Sequence, residues 1–141
     1  MVVKFKKLVE EAVTPSYSKP GDAGMDLTAT GMGWDEKGNV VYYTGLALEI
    51  PQGYVGLIFP RSSNSKKDLF LTNHVGVIDS GYRGEIMVKF RRTVPFKADI
   101  YEVGDRVAQL MIIPYPEIQF EQVEELSNTE RGSGGYGSTG S

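Results

Sequence analysis

The chain has no cysteine, one histidine and one tryptophan among its 141 residues. Without cysteine there is neither a disulfide framework nor a thiolate metal site, and the lone His74 cannot build a zinc site by itself. No stretch approaches the roughly 18 consecutive apolar residues of a membrane helix, and the first residues lack the pattern of a secretory signal. These absences predict a soluble, intracellular and cytoplasmic protein without zinc chemistry.

Long basic runs are missing as well. The formal net charge is -3, and the basic residues form nothing longer than the pairs Lys6-Lys7, Lys66-Lys67 and Arg91-Arg92. Proteins that hold nucleic acid through its phosphates need many Lys or Arg side chains on one surface, so we expect no nucleic-acid partner. With no apolar span, we also expect no membrane partner. A small anionic ligand is compatible with this charge, because it needs only a local group of donors.

Helical periodicity is scarce, whereas short apolar runs rich in Val, Ile and Tyr recur between Gly, Pro, Asn and Asp. This pattern predicts an all-β sandwich or barrel, and about 120 residues suffice for one domain with one core. The apolar even positions of Glu85–Phe90 predict a strand with one buried face. Helix is predicted only at Leu8–Val13 and in one turn at Ser62–Asp68, capped by Ser62 or Ser63. The predicted strands are Val40–Thr44, Ala47–Ile50, Tyr54–Phe59, Val75–Ile78, Glu85–Phe90, Arg106–Ile113 and Ile118–Val123.

One acidic residue stands at the end of an apolar strand. Asp79 follows Val75–Ile78, and a Ser-Gly-Tyr-Arg-Gly segment leads from it into the alternating strand. The two runs predict a β-hairpin with Asp79 at its shoulder, so that the carboxylate is held on a rigid element. Two interpretations are open at this point. Asp79 either serves the geometry of the turn, or acts as a general base with the flat ring of Tyr82 beside it.

A second group of polar residues suits an anion. The strand before Pro60 stops there, and Arg61, Ser62 and Ser63 follow with one guanidinium and two hydroxyls. These groups bind phosphate well, although a strand exit with a serine cap explains them equally well. Gln109 lies within an otherwise apolar strand, where it is either a satisfied core amide or a neutral donor to a phosphate oxygen.

The last segment is unusual in composition. Residues 131–141 contain five glycines, one Arg, one Tyr and no aliphatic side chain. Such a segment does not order without outside contacts, so one interpretation is a frayed terminus. The other is a clamp, because free backbone N–H groups, hydroxyls, a guanidinium and a ring suit phosphates and a flat base. It is no P-loop, since it lacks the Gly-Lys-Ser/Thr ending.

Five segments, taken together and in order, resemble the five motifs of the trimeric deoxyuridine triphosphatase (dUTPase) family. The resemblance implies an all-β, dUTPase-like β-barrel or jelly-roll sandwich that assembles as a homotrimer with shared active sites. It also implies one domain over residues 1–126 and a flexible glycine-rich arm, residues 127–141, that closes over an active site of the trimer. The segments are Ala23–Leu27, Pro60–Ser63, Asn73–Glu85, Gly104–Leu110 and Arg131–Gly140.

The resemblance implies roles for individual residues too. Asp79 is similar to the family's base that activates the attacking water, and Tyr82 to the ring under the deoxyribose. Two positions depart from the pattern: Tyr136 replaces the usual Phe, and Gly81 stands where an acidic residue is frequent. The implied uracil contacts are Asn73, Gly76, Val77, Ile78, Met87 and the stacking ring of Tyr136, and the implied phosphate contacts are Arg61, Ser62, Ser63, Gln109, Arg131, Ser138 and Thr139. Gly137 is a further implied substrate contact.

The implied activity is hydrolysis of dUTP to dUMP and pyrophosphate by attack of an activated water on the α-phosphorus. This reaction limits uracil incorporation into DNA and supplies dUMP for thymidylate synthesis. Mg²⁺ is the implied cofactor, held by the triphosphate and water without a direct protein ligand, and Asp26 is a candidate for contacting that water. Two alternatives are open: a dCTP deaminase-type relative, which needs an added acid/base residue, and a non-catalytic dUTP-sensing regulatory protein.

Overall fold

The fold is built almost entirely of β-strands. The computed structural model describes residues 1–138 and 140. Among these residues there is no α-helix, and hence none long and apolar enough to cross a membrane. The all-β prediction is therefore confirmed. The strands are β1 (Lys4–Lys7), β2 (Met25–Thr28), β3 (Gly31–Trp34), β4 (Val40–Glu49), β5 (Tyr54–Phe59), β6 (Leu69–Leu71), β7 (Gly76–Ile78), β8 (Glu85–Arg92) and β9 (Arg106–Pro114), with a 3-10 turn at Ser62–Lys66.

Two antiparallel sheets form the layers of a sandwich. The first sheet has the strand order β1-β4-β8-β6, and β3 also pairs with β4. The second sheet has the order β2-β9-β5-β7. Strands that follow one another in sequence thus often lie in different sheets, as in a jelly roll. The jelly-roll sandwich is confirmed, and the two sheets do not close into a barrel.

The core lies between the two sheets. Ile86, Val88 and Phe90 of β8 are buried, as their alternation predicted. The hydroxyl of Tyr42 donates to the carbonyl oxygen of Tyr101 at 2.7 Å, and the Tyr42 ring packs edge-on against Phe90 and Tyr101. Burial raises the pKa of Tyr42 above its ordinary value, so this hydroxyl stays a donor. The largest fully buried side chains are Tyr42, Phe90, Leu27, Leu46, Ile86 and Leu110.

The predicted strands Val40–Thr44 and Ala47–Ile50 are in fact one continuous strand, β4, with a bulge. Gly45 has a φ of +67°, and the register between β4 and β8 shifts at this point. A carboxylate oxygen of Glu85 accepts a hydrogen bond from the Gly45 N–H at 2.8 Å, which satisfies a donor that the bulge removes from the ladder. The prediction was wrong because a glycine signals a turn and a bulge equally well.

The hairpin predicted from Val75–Ile78 and Glu85–Phe90 is also wrong. β7 pairs with β5, whereas β8 pairs with β4 and β6, so residues 79–84 cross from one sheet to the other. Alternation identifies a strand but not its partner, and β6 occupies an edge of β8 that such a hairpin would use. Asp79 nevertheless follows the end of β7, as predicted.

Two further segment predictions are wrong. Leu8–Val13 forms turns instead of a helix, and a segment this short has little helical stability of its own. Ile118–Val123 is not a strand, because no other strand of the described chain pairs with it. Its apolar residues face solvent instead, and Ile118 and Phe120 are 62% and 94% exposed.

Candidate active site

A cavity of about 320 Å³ opens at the side of the sandwich and is lined by both sheets. We call it the edge pocket. It brings together all seven residues that the sequence predicted around the water, the sugar and the base outside the arm. Its lining residues are Ile58, Leu71, Thr72, Asn73, Gly76, Val77, Ile78, Asp79, Tyr82, Glu85, Met87, Val88 and Lys89.

β7 supplies a backbone surface to this pocket, because it is an edge strand of the second sheet. One side of β7 pairs with Gly56–Ile58 of β5, and no strand of the described chain pairs with the other side. Unpaired N–H and C=O groups at a sheet edge are ready partners for a flat ligand with its own donors and acceptors. Gly76 allows the close approach to β5, since a Cβ there would lie 3.1 Å from the Cβ of Ile58.

The turn after β7 holds Asp79 and Tyr82 in fixed positions. The Tyr82 N–H donates to the Asp79 carbonyl oxygen at 3.0 Å, and the Tyr82 hydroxyl donates to the Glu85 carbonyl oxygen at 3.1 Å. Arg83 donates from Nη1 to the carbonyl oxygens of Ser80 and Tyr82 at 2.7 and 3.0 Å. The Asp79 carboxylate itself is exposed at the mouth of the pocket. A carboxylate on a rigid turn with access to water suits a general base.

A second cavity, of about 660 Å³, lies on the outer face of the second sheet. We call it the outer-face pocket. It brings together Arg61, Ser62, Gln109 and Asp26, three of which were predicted as phosphate contacts. Ser63 is not part of the lining, but its hydroxyl accepts from Arg61 Nη1 at 3.1 Å. The lining residues are Ser18, Asp22, Ala23, Gly24, Asp26, Phe59, Pro60, Arg61, Ser62, Gln109 and Met111.

Asp26 lies between two arginines beside this pocket. Its Oδ1 accepts from Arg61 Nε at 2.8 Å, and its Oδ2 accepts from Arg106 Nη1 at 3.2 Å and from the Ser18 hydroxyl at 2.8 Å. Burial alone would raise the pKa of Asp26, but the hydrogen bonds from Ser18 and Arg61 and the two guanidinium charges outweigh it and lower the pKa. Arg61 lines this pocket together with Asp22 and Asp26, so it is the guanidinium that offers donors to an anionic ligand there.

Gln109 is a satisfied amide that also borders a cavity. Its Nε2 donates to the carbonyl oxygen of Pro60 at 2.9 Å, so the amide is satisfied within the protein. It also lines the outer-face pocket. Gly24 leaves room for this side chain, because a Cβ at position 24 would collide with Gln109 Oε1. An amide nitrogen carries two hydrogens, so Nε2 keeps one for a ligand.

The 3-10 turn Ser62–Lys66, which we call the phosphate turn, follows Arg61 directly. The predicted single turn is confirmed, but its predicted cap is wrong. The N-cap residue is Arg61, in an extended conformation, and no side chain caps the turn. Ser62 is exposed, and neither its hydroxyl nor that of Ser63 is used for capping.

The two pockets are separate within one chain. They share no lining residue. β7 and β2, which carry the edge pocket and Asp26, are the opposite edges of the second sheet, about 14 Å apart at the usual strand spacing. Ile58 points into the core and lines one pocket, whereas the next residue, Phe59, points outward and lines the other.

The described residues of the arm contact neither pocket. Arg131 Nε donates to the Gly134 carbonyl oxygen at 2.9 Å, and the Ser138 N–H donates to the Gly135 carbonyl oxygen at 3.0 Å. Tyr136 is fully exposed, and Gly137 has a φ of +78°. Thr139 lies outside the described residues. The described part of the arm is therefore an exposed series of turns in the single chain.

The donor set does not include a protein metal site. No group of three or more His, Asp or Glu side chains comes together among the described residues. Both oxygens of Asp26 already accept hydrogen bonds.

The sequence analysis missed several residues of both pockets. Arg106 and Ser18 hold Asp26, while Thr72, Glu85 and Lys89 line the edge pocket. Arg106 stands in the segment Gly104–Leu110, which drew attention only through Gln109. Glu85 ends the segment Asn73–Glu85, whereas Ser18, Thr72 and Lys89 stand in no recognisable pattern, so only the fold reveals them.

The fold and the two pockets define a jelly-roll protein with a shaped cavity beside a carboxylate and a separate cavity that contains Arg61, Ser62 and Gln109. A model of the dUTPase family matches residues 10–140. The chain belongs to the dUTPase family.

Named relatives from this family are similar in sequence to nearly the whole chain. The deoxyuridine 5'-triphosphate nucleotidohydrolase of Cutibacterium acnes is 46% identical over 136 residues, covering 94% of this chain and 88% of that protein. The enzyme of that name from Corynebacterium glutamicum is 42% identical, covering 98% and 94%. Among solved structures, the dUTPase of Staphylococcus bacteriophage 80alpha with dUpNHpp superimposes with a TM-score of 0.82 at 30% identity, covering 99% of both chains. A mutant dUTPase of the S. aureus phage phi11, described with a structural Mg(II) ion, gives 0.75 at 27% identity, covering 89% and 98%.

Proposed function

We propose that the protein hydrolyses dUTP to dUMP and pyrophosphate, and so limits uracil incorporation into DNA and supplies dUMP. The observation that carries the proposal is the edge pocket, in which Asp79, Tyr82 and the free side of β7 meet. The named relatives, which are deoxyuridine 5'-triphosphate nucleotidohydrolases, support the same substrate.

The edge pocket suits deoxyuridine. The free backbone side of β7 presents fixed donors and acceptors to the edge of uracil, and cytosine reverses that pattern. A 5-methyl group would meet the pocket wall, which includes Ile58 and Met87. The ring of Tyr82 packs under the sugar, where a 2'-hydroxyl has no room. Together these contacts favour dUTP over dCTP, dTTP and UTP.

The chemistry requires one base and good positioning. Asp79 accepts a proton from a water molecule as the water oxygen attacks the α-phosphorus. The bond between the α-phosphorus and the bridging oxygen of the β-phosphate breaks, and pyrophosphate leaves. Arg61, the serine hydroxyls after it and Gln109 bind the phosphates. Mg²⁺, carried by the triphosphate, would neutralise phosphate charge, and phosphoryl chemistry of this kind needs no protein nucleophile.

A complete site requires more than one copy of the chain. The edge pocket and the outer-face pocket lie on different sides of the second sheet, so one substrate molecule reaches both only if another subunit supplies one of them. Exposed apolar side chains after β9, at Ile118, Phe120 and Leu126, also fit contact with a neighbouring copy. We therefore propose a homotrimer with shared active sites.

The arm completes this arrangement. We propose that residues 1–126 form the domain and that residues 127–141 form an arm that closes over the bound nucleotide. Arg131, Gly137, Ser138 and Thr139 would then contact phosphates, and the ring of Tyr136 would stack on uracil. Closure of a glycine-rich arm excludes water other than the attacking one and completes the positioning of the substrate.

One contact argues against deaminase chemistry. A deaminase needs a free acid/base carboxylate beside the amino group of cytosine. Glu85 is the glutamate in the edge-pocket lining of the described chain, and its Oε1 accepts the Gly45 N–H at 2.8 Å. One oxygen of that carboxylate is held by the β4 bulge, which disfavours Glu85 as the acid/base of a deaminase. A purely sensing protein, in turn, has no use for the exposed carboxylate of Asp79.

The test is pyrophosphate release from four nucleotides by the purified protein with Mg²⁺. We expect turnover of dUTP to exceed that of dTTP, UTP and dCTP by about two orders of magnitude or more. Equal rates on all four nucleotides would refute the proposed specificity. Release of ammonia from dCTP would support the deaminase alternative instead.

A further inference from the structure

The phosphate turn is tied to the core by the residue that follows the motif Pro60–Ser63. Asn64 Nδ2 donates to the carbonyl oxygen of Leu69, at the start of β6, at 2.9 Å. Asn64 Oδ1 accepts from the Tyr101 hydroxyl at 3.4 Å. One side chain within the turn thus holds two separate parts of the fold.

The Tyr101 end of this connection is rigid. Tyr101 is 3% exposed, and its ring lies 6.0 Å from that of Tyr42 and 5.8 Å from that of Phe90. Its carbonyl oxygen also accepts the hydroxyl of Tyr42 at 2.7 Å. Closely packed side chains of this kind have little freedom to move. Asn64 therefore fixes the position of the phosphate turn relative to the buried rings of Tyr42, Phe90 and Tyr101.

The chain after the turn is held independently. Lys67 Nζ lies 2.8 Å from Asp99 Oδ1, and the Asp68 N–H donates to the Asp99 carbonyl oxygen at 2.8 Å. These contacts keep residues 67–68 in place whether or not Asn64 is present. Removal of the Asn64 side chain should therefore loosen the turn itself and leave the sandwich folded.

Asn64 stands three residues after Arg61, whose carbonyl oxygen accepts the Asn64 N–H at 2.9 Å. A shift of Asn64 would therefore move the whole turn, including Ser62 and Ser63. We propose that Asn64 is a positioning residue for the triphosphate, because it sets the phosphate turn against the outer-face pocket. The proposal rests on the proposed function of that pocket. Contacts to the nucleoside in the edge pocket do not depend on it.

The experiment compares two ligands that differ in their phosphates. Asn64→Leu keeps the approximate size of the side chain and removes both hydrogen bonds. We expect it to weaken binding of the non-hydrolysable analogue dUpNHpp about tenfold and binding of dUMP less than about twofold, since displaced groups bind poorly. Calorimetry measures both affinities. In the kinetics with dUTP, the KM should rise more than kcat falls.

Two further variants make the result specific. Tyr101→Phe retains the buried ring and removes only the longer hydrogen bond, so it should fold and show a smaller loss in the same direction. Asn39→Leu is the matched control: Asn39 Nδ2 donates to Asp35 at 2.9 Å, and this residue lines neither pocket. We expect Asn39→Leu to lower thermal stability and to leave both affinities unchanged.

Equal losses for dUMP and dUpNHpp, or unchanged dUpNHpp binding in a folded Asn64→Leu protein, would overturn the proposal. So would an Asn39→Leu variant that reproduces the loss. Failure of the proposed function would be seen in a different measurement, because the wild-type protein would then not hydrolyse dUTP. The binding measurements test Asn64 even in that case, because dUpNHpp reports on the pocket without turnover.

Discussion

Asp26 stabilises the fold through two arginines and also lines the outer-face pocket. Its side chain, which extends from β2, is 15% exposed. It contacts Arg61 and Arg106, although the three residues are far apart in sequence. By holding Arg61 Nε, it directs the rest of that guanidinium away from itself. These contacts support a role for Asp26 in orienting Arg61.

This contact predicts a pH-dependent stability. The pKa of Asp26 is lowered in the folded protein, so its stabilising effect is complete above its unfolded pKa of about 3.9 and is lost as the pH falls through the folded value. We expect Asp26→Asn to reduce the free energy of unfolding by about 1–3 kcal/mol at pH 7, since it leaves charged partners unsatisfied. The difference from wild type should shrink below about pH 4.

Denaturant unfolding from pH 3 to pH 7 measures this difference. Asp22→Asn is the matched control, because Asp22 lines the same pocket but accepts only the backbone N–H of Lys19 in an exposed turn. A difference between Asp26→Asn and wild type that stays constant across the range would contradict the ionic role of Asp26.

Single residues divide into those that the sequence could predict and those that it could not. Asp79, Tyr82 and Arg61 stand in compact segments between predicted strands, so their grouping and order were visible without a structure. The contacts of Asn64 with Leu69 and Tyr101 depend on how distant segments pack, and a lone Asn after a serine pair gives no sign of them. Packing partners of this kind follow from the fold alone.

Among the elements, the arm and the sandwich differ in how they are held. In the described part of the arm, the hydrogen bonds are local ones, such as Arg131 to Gly134 and Gly132 to Thr129, and they tie it to no strand. An element with few outside contacts contributes little to global stability and moves easily. Its composition alone predicted this behaviour, whereas its part in the active site is a proposal.

Removal of the arm should therefore separate folding from turnover. A chain ending at Glu130 is expected to keep the thermal stability and subunit number of the full-length protein. We expect its kcat/KM for dUTP to fall about a hundredfold or more, because closure no longer positions the phosphates or excludes water. Differential scanning calorimetry, light scattering and pyrophosphate release measure the three quantities. Full activity in the shortened chain would contradict the clamp.

Strand pairing was the least predictable property of the elements. The sequence located β5, β8 and β9 well, because alternation and β-branched residues mark them. It misplaced the partner of β7, since two adjacent strands with a turn between them suggest a hairpin whether or not they belong to one sheet. The crossing has a functional effect: it places Asp79 where the two sheets separate and the edge pocket opens.

At the scale of the whole molecule, the proposed function requires two separate pockets to bind one substrate. The edge pocket and the outer-face pocket share no residue, and the strands β7 and β2 lie at opposite edges of the second sheet. Under the proposed function, a single chain holds two halves of a site that face in different directions. A closed symmetric assembly can bring the halves of neighbouring subunits together, and each subunit then gives one half to each neighbour.

Mixed assemblies test this sharing directly. Asp79→Asn removes the base and Arg61→Gln removes a phosphate contact, so each variant alone should lose nearly all turnover while keeping its fold. When the two chains are co-refolded in equal amounts, some sites receive an intact Asp79 from one chain and an intact Arg61 from the other. Random assembly of shared sites predicts recovery of about a quarter of wild-type activity, measured as pyrophosphate release after native mass spectrometry verifies mixing. Sites formed within single chains would recover none, because every chain would still carry one defect.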